Sequence, residues 1–92
     1  MNDTVPQPTY PFTLGDETIQ MTLAEVDIDK HILTRFENAE AKWAADKPVQ
    51  QQEVDAMLAG ARQLPQLRRR YWGRELARIE LITADQAASL IA

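Results

Sequence analysis

The sequence LPQLRRRYWGRELARIELI, residues 64–82, decides the fold, because its apolar and basic residues repeat with a helical period. Pro65 suits the first turn of a helix, where its missing N–H costs nothing. Gly73 is the one helix-weakening residue that follows, at about 1 kcal/mol relative to alanine. At 100° per residue, one half of the wheel carries the apolar side chains expected in the core: Leu64, Leu67, Tyr71, Trp72, Leu76, Ile79 and Ile82.

The opposite side of this helix carries an Arg ridge, formed by Arg70, Arg74 and Arg78 at successive four-residue intervals. No acidic residue lies four positions from any of the three, and Glu75 reaches Arg78 only across three residues. Guanidinium groups with so little local neutralisation favour an anionic contact, either an acidic partner or the acidic half of a neighbouring copy. The alternative is a solvated helix face whose charge is offset by the rest of the chain.

Two charged residues, Arg68 and Glu75, fall inside the apolar arc. We expect them at its rim, where their stems cover the aromatic rings and their charged heads reach water. A buried ion pair is the alternative, and it is costly unless fully hydrogen-bonded. Because interface hot spots are rich in Arg, Tyr and Trp, we predict a partner-binding surface on this helix. Its predicted residues are Arg68, Arg70, Tyr71, Trp72, Arg74 and Arg78.

The size and composition of the chain predict one small folded domain over residues 1–92, with 45% hydrophobic and 26% charged residues. The absence of cysteine excludes a disulfide, a thiol nucleophile and a zinc–thiolate site. No charged-then-apolar leader opens the sequence, and no apolar run approaches the roughly 18 residues that cross a bilayer. We therefore expect a soluble cytoplasmic protein that does not contact a membrane.

The charge is unevenly distributed along the chain, whose net charge is −4. Residues 1–59 contain eleven Asp or Glu and four Lys or Arg, a balance of −7. Residues 60–92 contain three acidic and six basic residues, a balance of +3. General nucleic-acid binding normally requires a basic domain, so this polarity favours protein contacts, including head-to-tail self-association.

The N-terminal residues predict an extended arm over 1–9, from its prolines, and then a β-hairpin over 10–23. Apolar residues alternate on both sides of a predicted four-residue connection, residues 15–18. The predicted cross-strand pairs put all six apolar side chains on one face: Leu14 with Ile19, Phe12 with Met21, and Tyr10 with Leu23. Pro11 makes the first strand an edge strand, and the apolar face of the hairpin must be covered by helices.

Residues 27–91 predict the helical part of an α+β domain, in which three to four helices pack against the hairpin. We expect Asp27 or Asp29 to cap a first helix that runs to about Ala45. Its predicted apolar stripe is Ile28, Ile32, Leu33, Phe36, Ala39 and Trp43. His31 lies on the flank of that stripe, and without a second histidine or a nearby nucleophile we interpret it as structural.

Two further helices flank the Arg-bearing one. Pro48 is expected to start the earlier helix, whose apolar positions are Val54, Met57, Leu58 and Ala61. Thr83 and Gln86 have the spacing of a capping box, which predicts a short last helix. The expected apolar contacts of that helix are Ala87, Leu90 and Ile91.

No motif for catalysis or cofactor binding is present. The three glycines stand singly at positions 15, 60 and 73, so no phosphate-binding loop exists, and no metal-ligand spacing appears. Ser89, the only serine, has no recognisable nucleophile context. The sequence therefore predicts a protein that is not an enzyme and holds no cofactor or metal.

The N-terminal third, YPFTLGDETIQMTL followed by AEVDIDK over residues 10–30, resembles the opening of the tail assembly chaperones of Mu-like phages. The resemblance lies in the order of an alternating strand, a short Gly-containing turn, a second strand and then a helix. It implies a small accessory protein that binds the tape-measure protein and keeps it soluble during virion assembly. The Arg-rich helix at residues 66–82 has no counterpart in this resemblance, so no binding residue is implied by it.

Three functions remain open from the sequence. The first is a protein-binding module, such as a phage tail assembly chaperone or another phage accessory factor, that uses helix 66–82 and the hairpin edge. The second is a nucleic-acid binder with arginines on phosphates and Tyr71 or Trp72 stacked on bases; its arginines would be Arg68, Arg69, Arg70, Arg74 and Arg78. The third is a small phage-type inhibitor of a host or defence complex, whose acidic half imitates nucleic acid.

Overall fold

The computed structural model describes residues 8–92 as an N-terminal β-hairpin followed by four helices, which confirms the predicted α+β fold. The predicted arm lies outside the described residues over 1–7, and Thr9 already belongs to the first strand. The elements are β1 (Thr9–Leu14), β2 (Glu17–Thr22), α1 (Leu23–Ala44), α2 (Gln51–Ala61), α3 (Gln66–Arg78) and α4 (Ala84–Ile91).

The hairpin turns over two residues, Gly15 and Asp16, rather than the four that the sequence suggested. Gly15 has a φ of 62°, a conformation that glycine adopts without steric cost. The predicted register was therefore wrong by two residues: Phe12 pairs with Ile19, and Tyr10 pairs with Met21. Because side chains alternate with a period of two, this shift leaves the apolar residues on the same face.

The two faces of the hairpin differ in chemistry. The inner face places Met21 in the core and packs Phe12 and Ile19 partly against it. Glu17 lies opposite Leu14 and thus also points to the inner face, toward the helices. The outer face is polar, and Thr13 and Thr18 share a hydrogen bond of 2.8 Å across it.

Helix α1 begins earlier than the sequence suggested, because its N-cap lies five residues before Asp27 and seven before Asp29. Thr22 is its N-cap, and its hydroxyl accepts from the backbone N–H of Glu25 at 3.2 Å while the Glu25 carboxylate accepts from the Thr22 N–H at 2.8 Å. This capping box directly follows β2, so the chain passes from strand to helix without a loop. The prediction that Asp27 or Asp29 caps the helix was wrong.

The apolar stripe of α1 is only partly covered. Ile32, Phe36 and Ala39 are buried, whereas Leu33 and Trp43 are each 40% exposed. Leu33 lies about 100° around the helix from Ile32, which places it at the margin of the contact with the other helices. Helical periodicity identified the side that faces the core but overestimated its width.

The ends of α2 and α3 also differ from the sequence-based expectation. Helix α2 begins at Gln51, not at Pro48, and its N-cap Gln50 makes no side-chain capping bond. Helix α3 ends at Arg78, because Glu80 adopts a φ of 63° and Leu81 N–H donates back to the Leu76 carbonyl at 2.9 Å. This is the Schellman pattern of helix termination.

The core is centred on α3, as predicted. Trp72, Leu76 and Ile79 are fully buried. Of the other core positions predicted in residues 64–82, all are buried except Tyr71, which is half-buried. Helix α4 begins with the predicted Thr83–Gln86 capping box and buries Leu90. The remaining buried apolar side chains include all four predicted positions of α2: Val54, Met57, Leu58 and Ala61.

Candidate protein-interaction site

Arg68 lies inside the protein and not at the rim of the apolar arc, where the sequence placed it. Its residue surface is only 9% exposed. Its guanidinium donates two hydrogen bonds to one carboxylate, from Nε to Asp29 Oδ1 at 2.7 Å and from Nη2 to Asp29 Oδ2 at 2.8 Å. This bidentate geometry is the strong form of an arginine–carboxylate pair.

Asp29 also accepts a hydrogen bond from the most buried aromatic residue of the chain. The indole Nε1 of Trp72, whose side chain is 0% exposed, donates to Asp29 Oδ1 at 2.7 Å. The buried charge of Arg68 and the buried N–H of Trp72 are therefore satisfied by the same side chain, which projects from α1. A buried ion pair persists when its geometry is good and its polar atoms are hydrogen-bonded.

Aromatic rings surround the Arg68 guanidinium. Its Cζ lies 4.2 Å from the ring centroid of Phe12, 4.3 Å from that of Tyr71 and 5.1 Å from that of Trp72. Cation–π attraction is strongest when the charge is desolvated, as it is here. We define the Arg68 cluster as Phe12, Asp29, Arg68, Tyr71 and Trp72; it joins the hairpin, α1 and α3.

The Arg ridge is largely neutralised by carboxylates that are distant in sequence. Arg70 forms an ion pair with Glu17 at the end of the hairpin turn. Arg78 binds Glu40 of α1 at 2.5 Å and Glu75 at 3.0 Å. The pKa of the Arg78 guanidinium is raised above its ordinary value, mainly by the hydrogen bond to Glu75 and next by the hydrogen bond to Glu40. Neutralisation within the helix is limited to Glu75, as the sequence indicated, and the charges of Arg70 and Arg78 are offset by carboxylates elsewhere in the chain, which agrees with the alternative interpretation of the ridge.

The six predicted binding residues thus divide into three groups. Arg68 and Trp72 are buried in the Arg68 cluster and have almost no surface to offer a partner. Arg70 and Arg78 are at the surface but bound to carboxylates of the same chain. Arg74 is exposed and has no ion pair among residues 8–92, and Tyr71 is half-buried.

Exposed apolar side chains lie at the open end of the hairpin, where the sequence predicted a contact edge but not an apolar surface. Leu23 is 49% exposed and Tyr10 is 44% exposed, and both belong to the open end of the hairpin, where β2 runs into α1. The sequence signal for them was present but misleading, because the predicted pairing of Tyr10 with Leu23 placed both in a covered sheet.

Two open clefts lie on either side of the connection between α1 and α2. The first, about 410 Å³, is mainly polar and is lined by Arg35, Asn38, Lys42, Gln50 and Glu53 together with Ala39 and Val49. In it, Arg35 binds Glu53 at 2.9 Å, so its positive charge is already compensated. The second, about 340 Å³, includes the exposed face of Trp43, whose indole N–H donates to Glu80 at 3.2 Å.

Neither cleft is lined by a histidine or a serine. His31 lies on the surface of α1, where its Nδ1 is 2.8 Å from the Asp27 carbonyl oxygen. Within the part of the chain that the structure describes, no group of three His, Asp or Glu side chains is placed to hold a metal ion. None of the described helices is long and apolar enough to cross a membrane.

Comparisons of the chain with protein-family models, with curated proteins and with solved structures find no match.

Proposed function

We propose that this chain is a non-enzymatic protein-binding module that acts in the cytoplasm. The observation that carries the proposal is the contrast between its two candidate surfaces. The arginines of α3 are mostly engaged within the chain, whereas the hairpin leaves a strand edge and exposed apolar residues without a partner among residues 8–92. Exposed strand edges and adjacent apolar side chains are features that proteins use to bind other proteins.

The internal ion pairs weigh against a nucleic-acid binder. Of the five arginines that would contact phosphates, Arg68, Arg70 and Arg78 already bind carboxylates of the same chain. Trp72 is buried, so it offers no face for base stacking. Phosphate binding would have to break these pairs, in a chain whose net charge is −4.

The same pairs weigh against imitation of nucleic acid by the acidic half. Glu17, Asp29 and Glu40 each bind an arginine of α3, which reduces the negative field that such an inhibitor would present. A protein contact through the hairpin requires neither the arginines of α3 nor the carboxylates that bind them to be free.

The resemblance of residues 10–30 to tail assembly chaperones refines the proposal. In that form of it, the chain is a phage accessory protein, and its partner is a long structural protein that needs to be kept soluble before assembly. The hairpin, which carries the resemblance, is also the element with the unpaired strand edge.

The test is affinity capture with the purified chain, using host lysate treated with nuclease and untreated lysate in parallel. We expect a protein that co-purifies in both, and that forms a stoichiometric complex with the chain in size-exclusion chromatography after separate purification. Capture of nucleic acid alone, lost on nuclease treatment, would refute the proposal. Solubility of the captured protein with and without the chain then tests the chaperone form.

A further inference from the structure

We infer that the free edge of β2 binds an extended, basic segment of a partner protein as an added β-strand. The inference rests on the proposed protein-binding function and assigns to it a surface and a partner chemistry. Strand addition to a sheet edge is a recurrent mode of peptide recognition, in which main-chain hydrogen bonds supply affinity and alternate side chains supply specificity.

The hairpin is a two-stranded sheet, so each strand has one edge without a strand partner among residues 8–92. A two-residue turn makes Leu14 and Glu17 a hydrogen-bonded pair, and the pattern then alternates along the strands. The backbone N–H and C=O groups that point away from the partner strand are those of Thr18, Gln20 and Thr22 on β2.

The edge of β1 is blocked by Pro11, because the same alternation places this proline at an outward-pointing position. Pro11 lies opposite Gln20 and thus at an outward-pointing position, where it has no N–H to donate and its ring occupies the edge. On β2, the N–H of Thr22 is already bonded to the Glu25 carboxylate. Thr18 and Gln20, both exposed, retain outward-pointing backbone groups for a new strand.

The side chains beside this edge define the pattern of the added strand. Ile19 lies between Thr18 and Gln20, points to the inner face and is only half-buried. Leu23, immediately after β2, is 49% exposed. Apolar residues on the inner side of an added strand would pack beside Ile19 and Leu23. Polar residues on its outer side would lie beside the threonines of the outer face.

The charge of the region favours a basic segment over a second copy of the chain. Residues 8–29 contain five Asp or Glu and no basic residue. Arg70 and Arg68 neutralise Glu17 and Asp29, but Asp16 and Asp27, which flank β2, have no ion pair among residues 8–92. Pairing of two copies through β2 would bring like charges together, whereas lysine or arginine on the added strand would meet opposite charges.

The test uses two matched proline variants of the full chain. Gln20→Pro blocks the outward position on β2, and Thr13→Pro makes the same change at an outward position on β1. Each variant loses one outer-face side-chain hydrogen bond of the hairpin, to Thr9 and Thr18 respectively. Equal thermal unfolding midpoints for the two variants show that the substitutions destabilise the hairpin to the same extent, so that a difference in binding reports on the edge of β2.

The probe is an octapeptide of alternating lysine and valine, with an alternating glutamate and valine peptide as the charge control. By NMR titration we expect the lysine peptide to shift the amide resonances of Thr18 and Gln20 and to slow their hydrogen exchange. We expect Gln20→Pro to weaken binding at least tenfold, and Thr13→Pro to leave it within twofold. Equal binding of the glutamate peptide, or no binding of the lysine peptide, would overturn the inference.

The same variants separate this inference from the proposed function. If the wild-type chain captures a protein and Gln20→Pro captures it equally well, the edge assignment is wrong while the protein-binding function stands. If the wild-type chain captures no protein, the proposed function itself fails. A concentration-dependent dimer that is lost only in Gln20→Pro would show that a second copy occupies the edge, which also overturns the inference.

Discussion

Replacing Asp29 with alanine tests whether the Arg68 cluster holds the hairpin and the helices together. The substitution removes both acceptors of the Arg68 guanidinium and the acceptor of the Trp72 indole N–H. The side chains of Arg68 and Asp29 are 11% and 17% exposed, so water replaces little of what is lost. Removing one partner of a buried ion pair costs about 3–5 kcal/mol, because the other charge remains buried.

That loss is large for a chain of this size. At about 0.05–0.15 kcal/mol per residue, a domain of 92 residues has a free energy of unfolding of roughly 5–14 kcal/mol. Asp29→Ala should therefore remove at least about a fifth of the stability, and most of it if the stability lies near the lower bound. Asp29→Asn keeps an oxygen that can accept from Trp72 but loses the charge-assisted bonds to Arg68, and we expect a smaller loss of about 1.5–3 kcal/mol.

Urea unfolding followed by tryptophan fluorescence measures these differences, since Trp72 is buried beside the substituted side chain. The experiment is cleanest in a Trp43→Phe background, because Trp43 is exposed and contributes a second signal. Asp27→Ala is the matched control: it lies two residues earlier in α1, its side chain is exposed, and we expect a change within about 0.5 kcal/mol. Equal effects of Asp27→Ala and Asp29→Ala would refute the reasoning.

Three further predictions concern the stability of the chain and use the same unfolding measurement. Thr22→Ala removes the hydroxyl that caps α1 and should cost about 1 kcal/mol, and an unchanged midpoint would show that the cap is unimportant. Gly73→Ala should stabilise α3 by up to about 1 kcal/mol, because a Cβ there would meet its nearest neighbours at 3.5 Å or more. Gly60→Ala is its contrast and should gain clearly less or lose stability, since its Cβ would lie 3.1 Å from the side chain of a buried isoleucine; equal gains at both sites would contradict the packing argument. Arg70→Gln should change stability by no more than about 1 kcal/mol, because its ion pair with Glu17 is at the surface, and a larger loss would mean that this pair secures the hairpin.

Local patterns predicted the parts of this fold that depend on a few neighbouring residues. The predicted capping box from Thr83 to Gln86 is confirmed, because its two hydrogen bonds close within one turn of chain. The same spacing occurs at Thr22 and Glu25, although the sequence favoured Asp27 and Asp29, which lie later in the helix. Aspartate at a helix start favours capping, but here a threonine that ends a strand was already in position.

The candidate site was harder to predict than the fold. The sequence indicated that Arg68 is unusual, because its position falls within an apolar arc, but not that its partner is Asp29 in another helix. The sequence also placed the exposed Leu23 in the hairpin, whereas Thr22 caps α1 and Leu23 is the first residue of that helix. The first error concerned a contact between elements, and the second concerned the boundary between a strand and a helix.

Sequence patterns were sufficient to predict the order of the hairpin and the helices, the faces that carry apolar residues and the acidic-to-basic polarity along the chain. These properties follow from backbone periods of 2 and 3.6 residues, which act over short distances and can be read from one segment at a time. The tertiary structure alone decided which charges are neutralised. Arg70 and Glu17 are 53 positions apart, and Arg68 and Asp29 are 39 apart, so only the packing of the hairpin, α1 and α3 brings them together. In this packing, arginines of α3 bind carboxylates of the hairpin and of α1. The edge of β2 keeps no strand partner among residues 8–92.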